Sequence, residues 1–415
     1  MEKQIIAALE IADHEVRLLV GQFFNGRLNI LKVERVAHLG VAGYAIMSET
    51  HVVDSIKKAV ENASRNLGVV VKRVLLLVPG IHTKRVNRQI RVPIAGRIAE
   101  TDIRHAYKEL KEASYPEGYI LTNILFSKFF VNGSSTRKLP LNEKSDSLTI
   151  EAECYYGKQS IIFPYVTAVE KSGLQIIDII TDDIGFAKEA SLFEASIDKP
   201  VIGLTLNEKM TRMSLFYQGV LVSNDYIDAG FDTFMKKIET TLKVPSDVVH
   251  RLLYFNVDLD EASPGQDPIF MWSTKSTTHT LSQQDLMELV ADDIRAFIAD
   301  ILDRCEPIFE LGEPRFVISG EASEIDGVTN FIKKQSVAEA VNYRSTTFGV
   351  KDPGLTSLVG AFYLYKDHQI YRERSFSSVD EDEFKRIVIQ YNQDDKDDSI
   401  TQKLKNMFFE RKLED

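Results

Sequence analysis

Apolar residues near the start of the chain form short runs separated by polar turns. The predicted elements of this first unit are strands at 4–11, at 16–21 and after Asn25-Gly26, a helix from Val52 to Leu67, and a strand from Arg73 to Val78. The polar pair Asp13-His14 separates the first two runs, which predicts a β-hairpin. Gly68 predicts the end of the helix. This order is typical of an α/β core unit.

The same order returns in the second half of the chain. The predicted elements are strands at 201–206, 213–217 and 220–227, helices near 232–243, 246–255 and 282–304, and a strand at 315–319. Two copies of one hairpin-led unit indicate a duplicated core with a cleft between the halves, although the copies share little sequence.

A different pattern interrupts the first unit at residues 84–162. It predicts strands near 85–94, 119–131 and 148–156 with a helix from Thr101 to Ala113, followed by a helix near 160–172 and a strand from Leu174 to Ile180 that resume the first unit. We interpret the interruption as a small inserted α+β subdomain.

The last residues form an amphipathic pattern beyond an acidic stretch. One helical face would carry Ile400, Leu404, Met407 and Phe408, and the other side carries basic residues that include Lys403 and Lys405. An apolar face with no core beside it is typical of a segment that binds a membrane surface or a partner groove. Docking of this helix onto the body of the protein is the alternative. We favour the membrane, since the acidic stretch would be extended by its own charge.

Composition restricts the function further. The chain has 415 residues, of which 44% are apolar, and a net charge of −11, which argues against general nucleic-acid binding. Cys154 and Cys305 are predicted to be free buried thiols. We expect no signal peptide, since residues 1–9 lack its pattern, and no membrane span, since no run of 18 apolar residues occurs. The expected location is the cytoplasm, with peripheral attachment to the membrane.

Several stretches resemble the FtsA family of actin-like bacterial cell-division proteins. They are Val71 to His82, Ala95 to Asp102 (similar to the family's SGREITEEDV), Lys171 to Leu174 (ERAGL) and Asp352 to Ala361 (NPxYATAVGL), and they occur in the family's order. The amphipathic tail lies where that family has its membrane-targeting helix. The resemblance implies an actin-like (ribonuclease H-like) fold of four subdomains around a nucleotide cleft, membrane attachment through the tail, and filament formation.

This resemblance implies a division of the chain into segments. We assign 1–83, 163–195 and 340–370 to the first lobe (1A), 84–162 to the inserted subdomain (1C), 196–230 and 300–339 to the second lobe (2A), 231–299 to its insertion (2B), 371–398 to an acidic linker and 399–415 to the membrane-targeting helix.

The nucleotide-binding turns of the family are altered here. The family's first turn, DIGTSKVK, matches a run of this chain that contains Glu10, Ala12 and Asp13. Its second turn, DIGGGTTDI, matches a run that contains Thr205, Asn207, Glu208 and Lys209. Of the three glycines in its TGGGS motif, this chain keeps one, Gly320. Glycines let backbone N–H groups approach phosphates closely, and a carboxylate there repels them. We therefore favour a pseudo-ATPase that lacks ATP hydrolysis and has no cofactor. The alternative is that Lys209 or Arg212 supplies charge and Mg-ATP still binds.

A partner site is also implied by the resemblance. The helix around Leu289 is similar to the helix where the family binds the tail of the tubulin-like protein FtsZ, but Asp293 stands where its arginine should be. Arg295 is two residues further on, about 200° around a helix, and cannot replace it. No two of the eight histidines have metal-ligand spacing, so we expect no metal site. Trp272 is predicted to lie in the core or at the rim of the second insertion.

These observations predict a non-catalytic division protein. It would polymerise and tether an FtsZ-type filament to the inner face of the cell membrane at the division site; its partners would be that filament, lipid and other copies of itself. One alternative is an active ATPase or kinase of the same fold. Another is a PilM-like anchor of a pilus or secretion assembly, against which the tail argues because PilM-type proteins attach through partner peptides.

Overall fold

A computed structural model describes residues 4–24, 26–274, 277–372 and 375–386. The first lobe begins with β1 (Gln4–Ile11), β2 (Glu15–Phe24), β3 (Arg27–Ala37), the short pair β4 (Val41–Ala42) and β5 (Ala45–Ile46), α1 (Glu49–Leu67) and β6 (Arg73–Val78). Helix α1 buries its apolar face on the sheet and ends at Gly68, whose φ of 74° is the left-handed conformation that glycine adopts without strain.

The insertion follows as a separate sheet. Its elements are β7 (Lys84–Arg97), α2 (Glu100–Glu112), β8 (Tyr119–Val131), β9 (Ser134–Thr136) and β10 (Lys144–Lys158), with strand order β7-β10-β8-β9. The first lobe then resumes with α3 (Gln159–Lys171), β11 (Gln175–Thr181), α4 (Asp182–Glu189) and α5 (Leu192–Ala195).

The second lobe repeats the first. Its elements are β12 (Val201–Leu206), β13 (Thr211–Tyr217), β14 (Val220–Ile227), α6 (Asp232–Leu242), α7 (Ser246–Asn256), β15 (Pro268–Thr274), β16 (Thr277–Ser282), α8 (Gln283–Cys305), β17 (Arg315–Ser319), α9 (Val328–Ser336) and β18 (Glu339–Asn342). Helix α10 (Thr356–Asp367) then returns to the first lobe and packs on α4.

The two main sheets have the same topology. Their strand orders are β11-β6-β1-β2-β3 and β18-β17-β12-β13-β14, each with an antiparallel hairpin followed by parallel neighbours. The predicted duplicated α/β core is therefore confirmed. Because β1 and β12 occupy the same position in their sheets, the hairpin turn after each of them lies at the cleft between the lobes.

Two of the expected segment boundaries are wrong. Strand β18 pairs in parallel with β17, so the second lobe extends to Asn342 and not to residue 339. Residues 375–379, assigned to the linker, lie on the first lobe, where Ser378 bonds to β1 and to the N–H of Lys72. The physical reason is that apolar Val379 and Phe384, within an otherwise acidic stretch, pack into the core of that lobe.

The membrane-binding residues predicted for the tail lie outside the described residues. Among the described residues, no helix combines the length and apolar character that crossing a bilayer needs.

Candidate functional site

Two tight turns face each other across the cleft. In the first lobe the turn closes where the N–H of Ala12 donates to the carbonyl of Glu15 at 2.9 Å. In the second, the N–H of Asn207 donates to the carbonyl of Met210 at 3.1 Å. Each turn joins the first two strands of its sheet, so the duplicated topology places them opposite each other.

The two turns are bonded directly to each other. The N–H of Lys209 donates to Asp13 Oδ2 at 3.0 Å, and Lys209 Nζ donates to the carbonyl of Asp13 at 3.3 Å. Asp13 is only 6% exposed. Burial alone would raise the pKa of Asp13, but the hydrogen bond to His14, the charges of His14 and Arg17 and the N–H of Lys209 together lower it, so the group is an anion. The carboxylate thus takes the N–H of the facing turn, a group that could otherwise bind a phosphate.

His14 connects the first turn to acidic residues of both lobes. Its Nδ1 lies 2.6 Å from Asp13 Oδ1, and its Nε2 lies 3.5 Å from Glu208, 3.5 Å from Glu321 and 3.7 Å from Glu15. Burial would lower the pKa of His14, but the hydrogen bond with Asp13 and the charge of Glu321 raise it overall. The imidazolium form is therefore favoured in this environment.

Arg17 is a deeply buried charge of the cleft, at 2% exposure. Its guanidinium donates to Glu15 at 2.6 Å, to Glu321 at 2.6 Å, to the carbonyl of Gly354 at 2.8 Å and to Glu10 at 3.4 Å. Burial would lower the pKa of Arg17, but the facing carboxylates, Glu321 first, raise it well above its usual value. Arg17 is thus a permanent cation that joins the two lobes.

Arg35 of β3 completes this network from the first lobe. It donates to both oxygens of Glu15, to Glu321 Oε1 at 2.7 Å and to Asp352. The carboxylate oxygens of Glu15 and Glu321 are consequently shared between two guanidinium groups.

The network includes a grouping that resembles a metal site. One donor atom each from His14, Glu15 and Glu321 lie within 4.8 Å of one another. Spacing along the chain could not show this grouping, because Glu321 comes from the other lobe. The same Oε1 atoms of Glu15 and Glu321 already accept from Arg17 and Arg35. A metal would have to displace the buried guanidinium of Arg17 and the guanidinium of Arg35, so these residues do not fit one.

The guanidinium of Arg212 is engaged in contacts between the lobes. It donates to Thr205 Oγ1 at 2.8 Å and to Ser357 Oγ at 3.2 Å, and it forms an ion pair with Asp182 of the first lobe. Asp182 also accepts from the N–H of Gly80 and from the hydroxyl of Tyr226. The guanidinium of Arg212 is thus used between the lobes, and a role for it in supplying charge to a nucleotide stays a prediction.

Little space remains between the turns. A cavity of about 30 Å³ lies there, lined by residues that include Glu10, Asp13, Tyr165, Asp182 and Asn207. That volume suits about one water molecule, whereas ligand sites usually measure ~300 Å³ or more. Asn207 Oδ1 is buried without a hydrogen-bond partner among the described residues, which suits such a water.

Gly320 is required by the backbone of the second lobe. Its φ is 90°, and a Cβ on it would lie 2.5 Å from the carbonyl oxygen of Leu206. Local packing therefore explains the glycine at this position of the motif.

The direct bonds between the two turns and the small cavity between them leave little room for a ligand. The residues of the cleft therefore do not fit a nucleoside triphosphate with its metal.

The chain is similar to FtsA proteins of several bacteria. It is 23% identical to the cell division protein FtsA of Bacillus subtilis (strain 168) over 366 residues, which cover 86% of this chain and 82% of that protein. It is 22% identical to FtsA of Staphylococcus epidermidis (strain RP62A) over 420 residues, which cover 95% of this chain and 86% of that protein. It is 19% identical to FtsA of Enterococcus hirae over 429 residues, which cover 96% of this chain and 97% of that protein. No family model matches the chain.

A solved structure supports the fold. The "PilM-PilN type IV pilus biogenesis complex" contains a chain that superposes with a TM-score of 0.54 at 11% identity, covering 86% of this chain and 98% of that one. The chain is thus similar to FtsA proteins in sequence and has an actin-like fold. At that identity, the likeness to the pilus protein shows the fold alone.

The partner residues predicted for the FtsA-like chain lie on α8, away from the cleft network. Leu289 packs against the core of the second lobe, and Asp293 accepts from Lys237 at 2.5 Å. Arg295 donates to Asp292 at 3.1 Å and to the carbonyl of Leu259. Asp293 and Arg295 are thus engaged in separate contacts. Trp272 packs at the edge of the same core, as predicted.

Several residues of the network were not predicted as site residues of this FtsA-like chain. Arg17 and Glu15 could have been found, because charged residues within an apolar strand pattern require buried partners. The sequence carries no such signal for Arg35, Glu321 or Asp352, because their partners lie far away along the chain. Arg35 and Asp352, for example, are 317 positions apart.

Proposed function

We propose that the chain is an actin-like cell-division protein that polymerises and tethers an FtsZ-type filament to the inner face of the cytoplasmic membrane without ATP hydrolysis. The observation that carries this proposal is the similarity to FtsA proteins over most of the length of both partners, 86% and 82% for the Bacillus subtilis protein. Such coverage is what a shared overall role would produce. These relatives are named for cell division, which supports that part of the proposal most directly.

The cleft supports the lack of hydrolysis. The Asp13 carboxylate holds the N–H of Lys209, and the buried guanidinium of Arg17 holds Glu15 and Glu321. A triphosphate would have to break these bonds and bring its own negative charge beside Asp13 and Glu10. Uncompensated charge repulsion at short range costs several kcal/mol when water is excluded.

A thermal-shift titration with Mg-ATP tests this part. A ligand that binds only the folded protein stabilises it by about 2.7 kcal/mol at a hundred times its Kd. We expect no shift in the melting temperature up to millimolar Mg-ATP. A shift that grows with ligand concentration would replace the proposal with the alternative of an ATP-binding ATPase.

The membrane part rests on the sequence pattern of residues 399–415. Burying Ile400, Leu404, Met407 and Phe408 at a lipid surface contributes a few kcal/mol at about 25 cal/mol per Å². A single copy would therefore bind weakly and reversibly. Many copies joined in one filament would bind much more tightly through effective concentration, so weak single anchors agree with a polymer.

Co-sedimentation with liposomes tests tethering. Three proteins are compared: the full chain, the chain without residues 399–415, and the full chain with Lys405→Gln, which removes one charge but keeps the apolar face. We expect the full chain and Lys405→Gln to pellet with vesicles and to carry an added FtsZ-type filament with them. If the shortened chain pellets equally well, the tail is not the anchor.

A further inference from the structure

The turn of residues 207–210 meets a group of the first lobe whose charge depends on pH. His14 Nε2 lies 3.5 Å from Glu208, which is part of that turn. We propose that protonated His14 holds this turn of the second lobe against the first lobe, so that the cleft loosens there as the pH rises. The proposal rests on these contacts alone and requires neither nucleotide nor membrane.

The charges around His14 come from every element that packs on it. The acidic groups are Asp13 and Glu15 of its own hairpin, Glu208 after β12 and Glu321 after β17. The basic groups are Arg17 of β2, Arg35 of β3 and Lys209 of the facing turn. His38, which follows β3, is a further titratable group. Arg17 and Arg35 are committed to Glu15 and Glu321. His14 is therefore the cation that faces Glu208 from the first lobe.

The direction of the pH effect follows from the shift of His14. Burial lowers the pKa of His14, but Asp13 and Glu321 outweigh burial and raise it. A raised pKa means that the proton stabilises the closed arrangement. This stabilisation is complete below the ordinary pKa of histidine and is lost as the pH rises through the raised value.

Loss of the His14 proton weakens the contacts of the turn of residues 207–210 more than the other contacts of the cleft. Glu321 keeps Arg17 at 2.6 Å and Arg35 at 2.7 Å, and both are cations at any ordinary pH. Glu208 would then face a neutral ring next to the charges of Asp13 and Glu321. Looser contact is thus expected at residues 207–210, where the ion pair of Glu208 is lost and the bonds from Lys209 to Asp13 remain, while the arginine contacts continue to join the lobes.

Hydrogen–deuterium exchange of the peptide that contains residues 207–210 measures this loosening. Rates are corrected for intrinsic chemical exchange and compared from about pH 6 to 9, the range in which a histidine with a raised pKa titrates. The variants are His14→Gln and, as a matched control, His51→Gln, whose histidine lies on the exposed side of α1.

We expect the corrected exchange of the wild-type peptide to accelerate about fivefold with rising pH, which corresponds to the loss of one partly exposed ion pair. His51→Gln should show the same step. His14→Gln should show fast exchange at every pH and no step. A flat wild-type profile, or an unchanged step in His14→Gln, would overturn the proposal.

A second measurement serves if His14→Gln fails to fold. The ring of His14 is titrated in the wild-type protein by NMR, and the amide signal of Lys209 is followed in the same samples. We expect the ring signal of His14 and the amide signal of Lys209 to change with the same midpoint pH, above the ordinary histidine pKa of about 6.5. A midpoint at or below that value, or a Lys209 signal that does not follow the ring, refutes the proposal. Either result leaves the proposed function unaffected, since that is tested with Mg-ATP and liposomes.

Discussion

Replacing Arg17 by Met removes the guanidinium that joins the lobes while keeping a side chain of similar length. Glu10, Glu15 and Glu321 each lose a donor, and the carbonyl of Gly354 loses one as well. Removing one partner of a buried ion pair costs about 3–5 kcal/mol. Glu15 and Glu321 keep Arg35. We therefore expect a loss at the lower end of that range, about 3 kcal/mol.

The assay is urea unfolding followed by circular dichroism, with the midpoint compared among variants. Arg65→Met is the matched control: Arg65 pairs with Glu61 on the exposed face of α1, with a side chain 71% accessible. We expect that variant to change stability by less than about 0.5 kcal/mol, as exposed helix pairs do.

A double variant separates the ion pair from general packing. If Glu321 is the main partner, Glu321→Gln should cost less in the presence of Arg17→Met than alone, with a coupling of at least about 1 kcal/mol, as contacting residues show. Additive effects, or an Arg17→Met variant as stable as Arg65→Met, would show that the network does not hold the lobes together and would refute the reasoning.

Three further predictions concern the tail, the glycine of the cleft and the segment before the tail. Phe408→Glu should release a fluorescent fusion from the cell periphery into the cytosol, because it places a charge on the apolar face; unchanged peripheral fluorescence in microscopy would contradict this. Gly320→Ala should lower the urea midpoint more than Gly173→Ala, since both glycines have φ near 90° but a Cβ at Gly173 meets nothing within 4 Å; equal effects would exclude the steric contact. Ser378→Ala should cost about 1–3 kcal/mol, because the buried N–H of Ala7 loses its acceptor, and a wild-type midpoint in urea would show that the contact is unimportant.

Local patterns in the sequence were enough to place most elements. The strands at Arg73–Val78, Val201–Leu206, Val220–Ile227 and Arg315–Ser319 have the predicted bounds, because each is an apolar run between turn residues. The duplicated core and the loss of glycines at both turns were also evident from the sequence, since both depend on the order and type of neighbouring residues.

The contacts of the cleft could not be derived in this way. The carboxylate of Asp13 was expected to repel phosphates, but its bond to Lys209, which is 196 positions away, had no signal in the sequence. Arg212 was considered as an alternative source of charge for a nucleotide, and its guanidinium pairs with Asp182 of the first lobe. The polarity of these residues shows that they need partners, but not which ones.

The sequence by itself determined the elements, the repeated unit and the absence of glycines at the two hairpin turns, because hydrophobic periodicity and turn residues act over a few positions. Only the tertiary structure decided that the two turns bond to each other, that Arg17 and Arg35 share Glu15 and Glu321, and that residues 375–379 belong to the folded lobe. These contacts depend on how two lobes pack, and packing sets distances between residues that are hundreds of positions apart.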